Sequence, residues 1–474
     1  MPSRREQLFS YQFMVQRLIS AFVYRDAELV QVPFRRAAGN LFIGAMLGVL
    51  ALAAVGVYGV INPGGKASWK NDKVLVVEKE TGARYVYLNN ELHPVVNYAS
   101  ARLILKQSGL KTVSVSQASL RAAPRGVPLG IVGAPDSLPE AAQLVRGDWL
   151  LCSQPATNEA GQSITRSVLL IGAQPQGGRP LVDDEGLLVR HPDRTIFLIW
   201  HDRRYQIRKP EVTLGALALG QAPVIAAAPA WINAIPQGAD MGPISIDGRG
   251  GRSQLRDARV GQVVVARSQS GENQFFAVLA DGITDITPVQ ADLLINDPAT
   301  AAAYPDGRVE PIQRTDLIQA KRSARRLLPQ GDSAPPQTTP RIATGVERSG
   351  LCTTFAGAAA PQVLVGAAVP AGAGAGAAAG PGGSAQGTPR ADRVVVGSGL
   401  GALVQSMISP DATGGALSVV TDLGVRHPLT GQEVAGYLGY DPSRVVRMPA
   451  GLVALLPEGP PLDPNRATAP AEAP

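Results

Sequence analysis

Along most of this chain, apolar and polar positions alternate in short bursts, but two stretches near the N-terminus break that rhythm. The first is "REQLFSYQFMVQRLISAFVYRDAEL", residues 5–29. Leu8, Phe9, Phe13, Met14, Leu18, Ile19 and Phe22 recur there at helical spacing, with Gln16 and Arg17 between them, which predicts a helix. It is too short to form a domain, and a partner protein and a lipid surface fit its apolar stripe equally well. The second is "LFIGAMLGVLALAAVGVYGVI", Leu41 to Ile61, within a stretch free of charge between Arg36 and Lys66. As a helix it rises about 31 Å, enough to cross a ~30 Å hydrocarbon core. A cleaved signal peptide would have a shorter charged leader and a small-residue cleavage site before Asn62-Pro63, and neither is present. The pattern therefore predicts an uncleaved single-pass anchor in the plasma (inner) membrane. Arg4, Arg5, Arg17, Arg25, Arg35 and Arg36 precede the span, against Lys66, Lys70 and Lys73 just after it. That excess places the N-terminus in the cytoplasm and the bulk of the chain outside.

Beyond the span a diverged pattern recurs. It reads "RYVYLNNELHPVVNYASARLIL" at 84–105, "FFAVLADGITDITPVQADLLIN" at 275–296 and "LSVVTDLGVRHPLTGQEVAGYL" at 417–438. Each has an apolar strand, a polar turn, a short second strand and the start of a helix. A fourth, "RTIFLIWHDRRYQI" at 194–207, keeps the hairpin without a clear helix. Asn89-Asn90, Asp202-Arg203, Asp281-Gly282 and Asp422-Leu423-Gly424 are the residues expected to reverse the chain. Strands such as "GDWLLC" and "RSVLLIG" between the repeats predict a central β-core.

The fold class is α+β. The organisation this predicts is a cytoplasmic amphipathic helix at 1–36 and a transmembrane helix at 37–63. Repeats follow at 70–120, 191–258, 259–327 and 393–456, around a central core that begins at 121–190 and returns, with a linker, at 328–366. The segment 367–392 is an Ala/Gly/Pro-rich linker, and the tail at 457–474 is expected to fray.

Composition narrows the function. The 52 Gly and 39 Pro of 474 residues fit a turn-rich chain with loose linkers rather than a wholly disordered one. The net charge of +6 is scattered, without basic stripes interleaved with aromatics, which argues against nucleic-acid binding. Cys152 and Cys352 are the only cysteines, in a part placed in an oxidising space. If joined they close a loop of 200 residues; two buried free thiols are the alternative.

The chemistry-bearing patterns are weak. "VVVGSGLGAL" at 394–403, with Gly397, Gly399, Ala402 and the later Asp422, matches a dinucleotide-binding turn. Yet "LVQSMIS" leaves barely two helical turns before Pro410, and no second mononucleotide half remains. The run is better read as a flexible turn entering the last repeat. "NPGGKAS" around Lys66 lacks the spacing of a phosphate loop. His93, His191, His201 and His427 have no partner spacing for a metal. No catalytic, cofactor-binding or metal residues are assigned. An anchored extracellular enzyme, a nucleotide hydrolase or wall hydrolase, or a wall-binding protein stays as the rival reading.

Four strings in order resemble the EccB family, a membrane core component of the actinobacterial type VII (ESX) secretion system. They are "REQLFSYQFMVQRLISAF" before the span, "TGARYVYLNNELHPVVNYASARLIL" after it, "GIVGAPDSLP" at 130–139 and "RMPAGLVALLPEGPPLD" at 447–463. The resemblance implies an elongated extracytoplasmic part with four repeat domains around a β-rich core, tied by one disulfide, which Cys152 and Cys352 would form. It implies the partners EccC, an FtsK/SpoIIIE-like ATPase, EccD and EccE, with self-association in the complex. The helix with Phe9, Phe13, Met14, Arg17, Leu18 and Phe22 would then dock partners. EccB proteins are sometimes described as ATPases; this chain has no Walker motif, so ATP and catalysis stay unassigned, and the implied role is structural.

Overall fold

The computed structural model describes residues 4–24, 34–61, 69–182, 184–267, 271–317, 319–327, 329–346, 349–357, 359–370 and 390–471. The glycine–lysine run at 62–68 and residues 371–389 of the Ala/Gly/Pro-rich linker lie outside these ranges. The chain divides into two compact units, Met1–Ser68 with Val115–Ala122, and Trp69–Ser114 with Ala123–Pro474.

The first unit holds α1 (Arg4–Tyr24) and α2 (Phe34–Ile61). Within α2, Ala38–Val57 is a 20-residue apolar stretch long enough to cross a membrane. Its side chains are bare: Leu41, Phe42 and Leu52 are each more than 70% exposed.

The second unit is mixed and sheet-rich. It opens with β1 (Val74–Glu78), β2 (Arg84–Leu88) and β3 (Glu91–Pro94). Leu88 pairs with Glu91 across Asn89-Asn90, both at positive φ, as a two-residue type I′ hairpin requires. Helix α3 (Tyr98–Leu105) starts at Asn97, whose side chain accepts the Ser100 N–H. Strand β4 (Lys111–Val115) lies beside β1, giving the order β3-β2-β1-β4. The single turn α4 (Gln117–Leu120) belongs to the first unit.

Next come β5 (Trp149–Thr157), β6 (Ser163–Ile171) and β7 (Gln176–Pro180). The meander–helix–strand plan then returns as β8 (Glu185–Arg190), β9 (Ile196–Trp200), β10 (Arg203–Gln206), α5 (Pro210–Ala216) and β11 (Val224–Ala226), followed by α6 (Pro229–Ala234). It returns again as β12 (Val263–Arg267), β13 (Asn273–Leu279), β14 (Gly282–Ile286), α7 (Pro288–Ile295) and β15 (Ile312–Gln313). After β16 (Arg341–Ile342), β17 (Leu351–Phe355), β18 (Gln362–Ala368) and β19 (Arg393–Val396), a last version comprises β20 (Ala402–Met407), β21 (Ala416–Val420), β22 (Arg426–Pro428), α8 (Gln432–Tyr437) and β23 (Val446–Pro449). The chain ends with α9 (Ala450–Val453) and α10 (Pro464–Ala467).

In these later three sheets the closing strand runs parallel to the opening one. The strings read in the sequence therefore cover only the middle of a larger plan. Two details differ from expectation. The hairpin at 194–207 does continue into a helix, α5, started by Pro210 at its first turn. Two turns sit one residue earlier than expected: Trp200 pairs with Arg203 and Leu279 with Gly282, so His201-Asp202 and Ala280-Asp281 reverse the chain.

The central sheet has the order β19-β6-β5-β17-β18-β7. Its core joins Trp149 and Leu151 to Leu187 and Val189 of β8, Trp231 of α6, and Val404 of β20. The sheets pair out of chain order. The first shares a core with the last through Leu75, Val86 and Leu103 against Leu403, Val419 and Val434. The second shares one with the third through Leu198 and Tyr205 against Val263 and Leu294. The segment expected to fray beyond Pro457 is packed: Leu462 and Ala467 are fully buried in the core shared by the first and last sheets.

Candidate assembly elements

Helix α1 carries Phe9, Phe13, Met14, Leu18 and Phe22, each more than half exposed, together with exposed Arg17. At 3.6 residues per turn, Phe9 and Phe13 share one face while Leu18 and Phe22 share a face roughly opposite. The helix thus offers apolar surface around most of its circumference rather than along one stripe. A helix of that kind is stable only when covered on several sides.

Cys152 and Cys352 are bonded to each other. They face one another in the antiparallel register of β5 and β17 and are fully buried among Leu150, Val168, Leu170 and Val395. The closed loop contains the whole of the second and third sheets. Where the chain leaves the central sheet, Arg179 makes a two-pronged ion pair with Glu185, at 2.6 and 3.2 Å. The guanidinium holds the Glu185 carboxyl below the usual carboxylate range. Where the chain returns, Arg341 and Ile342 pair in parallel with Glu185 and Gly186.

The glycine run that imitates a dinucleotide site is explained by its neighbours. Val394–Val396 belong to β19 and pair in parallel with β6. The residues after the turn form strand β20, not a helix, so the short helix allowed for "LVQSMIS" is replaced by extended chain. Asp422, the residue a cofactor would use for its ribose, accepts the Gly399 N–H at 3.0 Å. The turn is filled by the protein's own carboxylate.

Three sheets carry a clip that the sequence reading missed. Pro124-Arg125-Gly126, Pro236-Gln237-Gly238 and Pro457-Glu458-Gly459 each run parallel to the third strand of a meander. Leu92, Arg204 and Arg426 donate their N–H groups to the carbonyls of Pro124, Pro236 and Pro457, and accept from Gly126, Gly238 and Gly459. A Cβ on these glycines would lie only 2.2, 2.3 and 2.2 Å from the rings of His93, Tyr205 and His427. His93 Nδ1 donates to the Val127 carbonyl at 3.0 Å, and His427 Nδ1 to that of Pro460 at 3.2 Å. Burial pushes the His427 pKa down. In the third sheet, Lys321-Arg322-Ser323 occupies the same place, and the third strand offers Thr284 instead of a ring. The signal was a His or Tyr followed about 33 positions later by the glycine of a Pro-x-Gly. The other two histidines are also engaged locally, His191 with Asp193 and His201 stacked on Trp200.

Across its length, residues 1–473, the chain matches the family described as "Type VII secretion system ESX-1, transport TM domain B", the EccB model. The chain belongs to the EccB family. It is a structural subunit of the type VII secretion membrane complex. It is 27% identical to the ESX-3 secretion system ATPase EccB3 of Mycolicibacterium smegmatis, over 89% of this chain and 82% of that one. It is 28% identical to EccB3 of Mycobacterium tuberculosis, over 97% and 88%. Among solved structures, the EccB3 dimer from the ESX-3 core complex aligns with a TM-score of 0.65 at 26% identity, covering 84% of this chain and all of that one. A chain of the intact ESX-5 inner membrane complex shares the fold, with a TM-score of 0.66 at 23% identity over 100% and 96%. The relatives' ATPase name belongs to them; no nucleotide site is assigned among the described residues of this EccB chain.

Proposed function

We propose that this EccB subunit is an anchored scaffold: α2 spans the inner membrane, α1 docks in the cytoplasm, and the sheet-rich unit builds the outer part of the secretion complex. The basic residues before the span support this orientation. The observation that carries the reading is the contrast in covering. The second unit buries its apolar side chains in shared cores, whereas α1 and α2 leave theirs bare. Lipid around α2 and protein around α1 would cover such surface. The expected neighbours of α1 are EccC, EccD and EccE. A second copy of this chain is an expected partner of the outer part, as in the relative whose dimer is known. The four similarly ordered sheets are read as four copies of one module around the disulfide-tied central sheet. The subunit needs no cofactor of its own, and energy would come from the motor ATPase.

Deleting residues 1–36 tests the reading. Mild detergent extraction, native gels and mass spectrometry of the band should find the full chain in a large complex with a multispan protein and an FtsK-like ATPase. The deleted chain should remain membrane-bound but migrate alone. Intact assembly without residues 1–36 would remove the docking role from α1.

A further inference from the structure

We infer that residues 457–471 form a C-terminal strap that fastens the first module, the one nearest the apolar helix in sequence, onto the last. The segment starts as the clip of the last module, with Glu458 beside Arg426 and Leu462 beside Leu429 in parallel register. The Leu462 N–H donates to the Pro428 carbonyl at 2.8 Å. It then crosses to the first module. Helix α10 packs on α3. Pro470 pairs antiparallel with Leu129, the Ala471 N–H donates to the Pro128 carbonyl at 2.8 Å, and the Gly130 N–H donates to Ala469. Leu129 continues the first module's own clip, so the end of the strap, beyond α10, pairs with that clip.

The strap supplies part of the core, not a surface contact. Leu462 and Ala467 have no exposed area and sit with Leu103, Leu129 and Ile131. The rest of the boundary also depends on the C-terminal module. Arg102 on α3 donates to the Leu438 carbonyl at the end of α8, and buried Tyr440 donates to Pro139 at 2.8 Å. Each of these contacts joins residues hundreds of positions apart, so the first module cannot complete its covering until residues 438–471 have been made. The second and third modules, whose shared core draws on neither end, have no such requirement. The strap is therefore a latch that closes the first–last pair last.

The test is hydrogen exchange on the full-length chain in detergent, compared with a chain stopped after Leu456 and with Ala467→Arg, which cannot fit its buried position. The inference expects amides of 98–105 and 84–94 to exchange roughly tenfold faster or more in both variants, while those of 263–267 and 273–286 keep their protection. Unchanged protection at 98–105 would overturn it. So would an equal loss at 263–286, because the strap would then support the whole unit rather than fasten one module. Should the shortened chain fail to accumulate, Ala467→Arg alone decides between these outcomes.

Discussion

At the scale of single residues, the fold depends on three glycines chosen for closeness and not for backbone freedom. Gly126, Gly238 and Gly459 do not need positive φ; they need the absence of a Cβ, because an aromatic or imidazole ring lies where it would be. Two of the rings, His93 and His427, are held in turn by a hydrogen bond to the carbonyl after the glycine. The glycine cannot retreat without breaking the parallel pairing of the clip, and neither imidazole can swing away without losing its hydrogen bond. Gly459→Ala should therefore destabilise by about 1–3 kcal/mol, the usual range for overpacking. Gly459→Ala combined with His427→Ala should lose less than the sum of the two single variants, because the ring is what the methyl meets. Denaturant unfolding of the three variants checks this. A glycine at 215, where a Cβ would meet nothing, is the control, and Gly215→Ala should be neutral or slightly stabilising.

At the scale of elements, the disulfide acts at the base of an excursion. It ties β5 to β17 in register, and the 200 residues it closes hold β8 to β15 complete. Constraining a loop of that length in the unfolded chain is worth up to about 5 kcal/mol on the chain-entropy account. The double variant Cys152→Ala, Cys352→Ala should lower the denaturant midpoint accordingly while leaving the secondary structure in water intact. A midpoint equal to that of the parent would mean that the Glu185 ion pairs and the β8–β16 pairing already fix the base. The elements that could be read in the sequence were those with local partners: the hairpins around Asn89-Asn90 and Asp422–Gly424, and the helices directly after them. The strands that close the later three sheets could not be read. They are short, three residues in β11 and two in β15, and their parallel partners lie tens of residues away. Local periodicity holds no record of such a partner. The turn expected at Asp202-Arg203 sits one residue earlier because His201 takes a positive φ, which composition alone does not assign to a histidine.

At the scale of the whole molecule, composition misled where packing was made from small residues. "PEGPPLDPNRATAP" reads as a loose tail, yet it threads two modules, because its two fully buried residues, Leu462 and Ala467, lie five positions apart among prolines and polar residues and leave no periodic pattern. The bare helices were legible for the opposite reason: uncovered apolar surface has to appear in the sequence as an uninterrupted excess. The same contrast bears on catalysis. A nucleotide phosphate needs a cradle of free N–H groups. In the glycine run at 397–402, the Gly399 N–H already serves the Asp422 carboxylate, which would repel a phosphate at the same place. The chain from Trp69 onward is therefore expected to show no saturable ATP turnover, although relatives carry the ATPase name. The measurement is phosphate release against ATP concentration, on protein taken through successive purification steps, with the full chain alongside. Background that falls away with purification supports a scaffold powered by another subunit. Turnover that saturates and stays with the fragment would place a nucleotide site in the outer unit and overturn the purely structural role. Turnover in the full chain alone would place the activity in residues 1–68, where the glycine–lysine run lies.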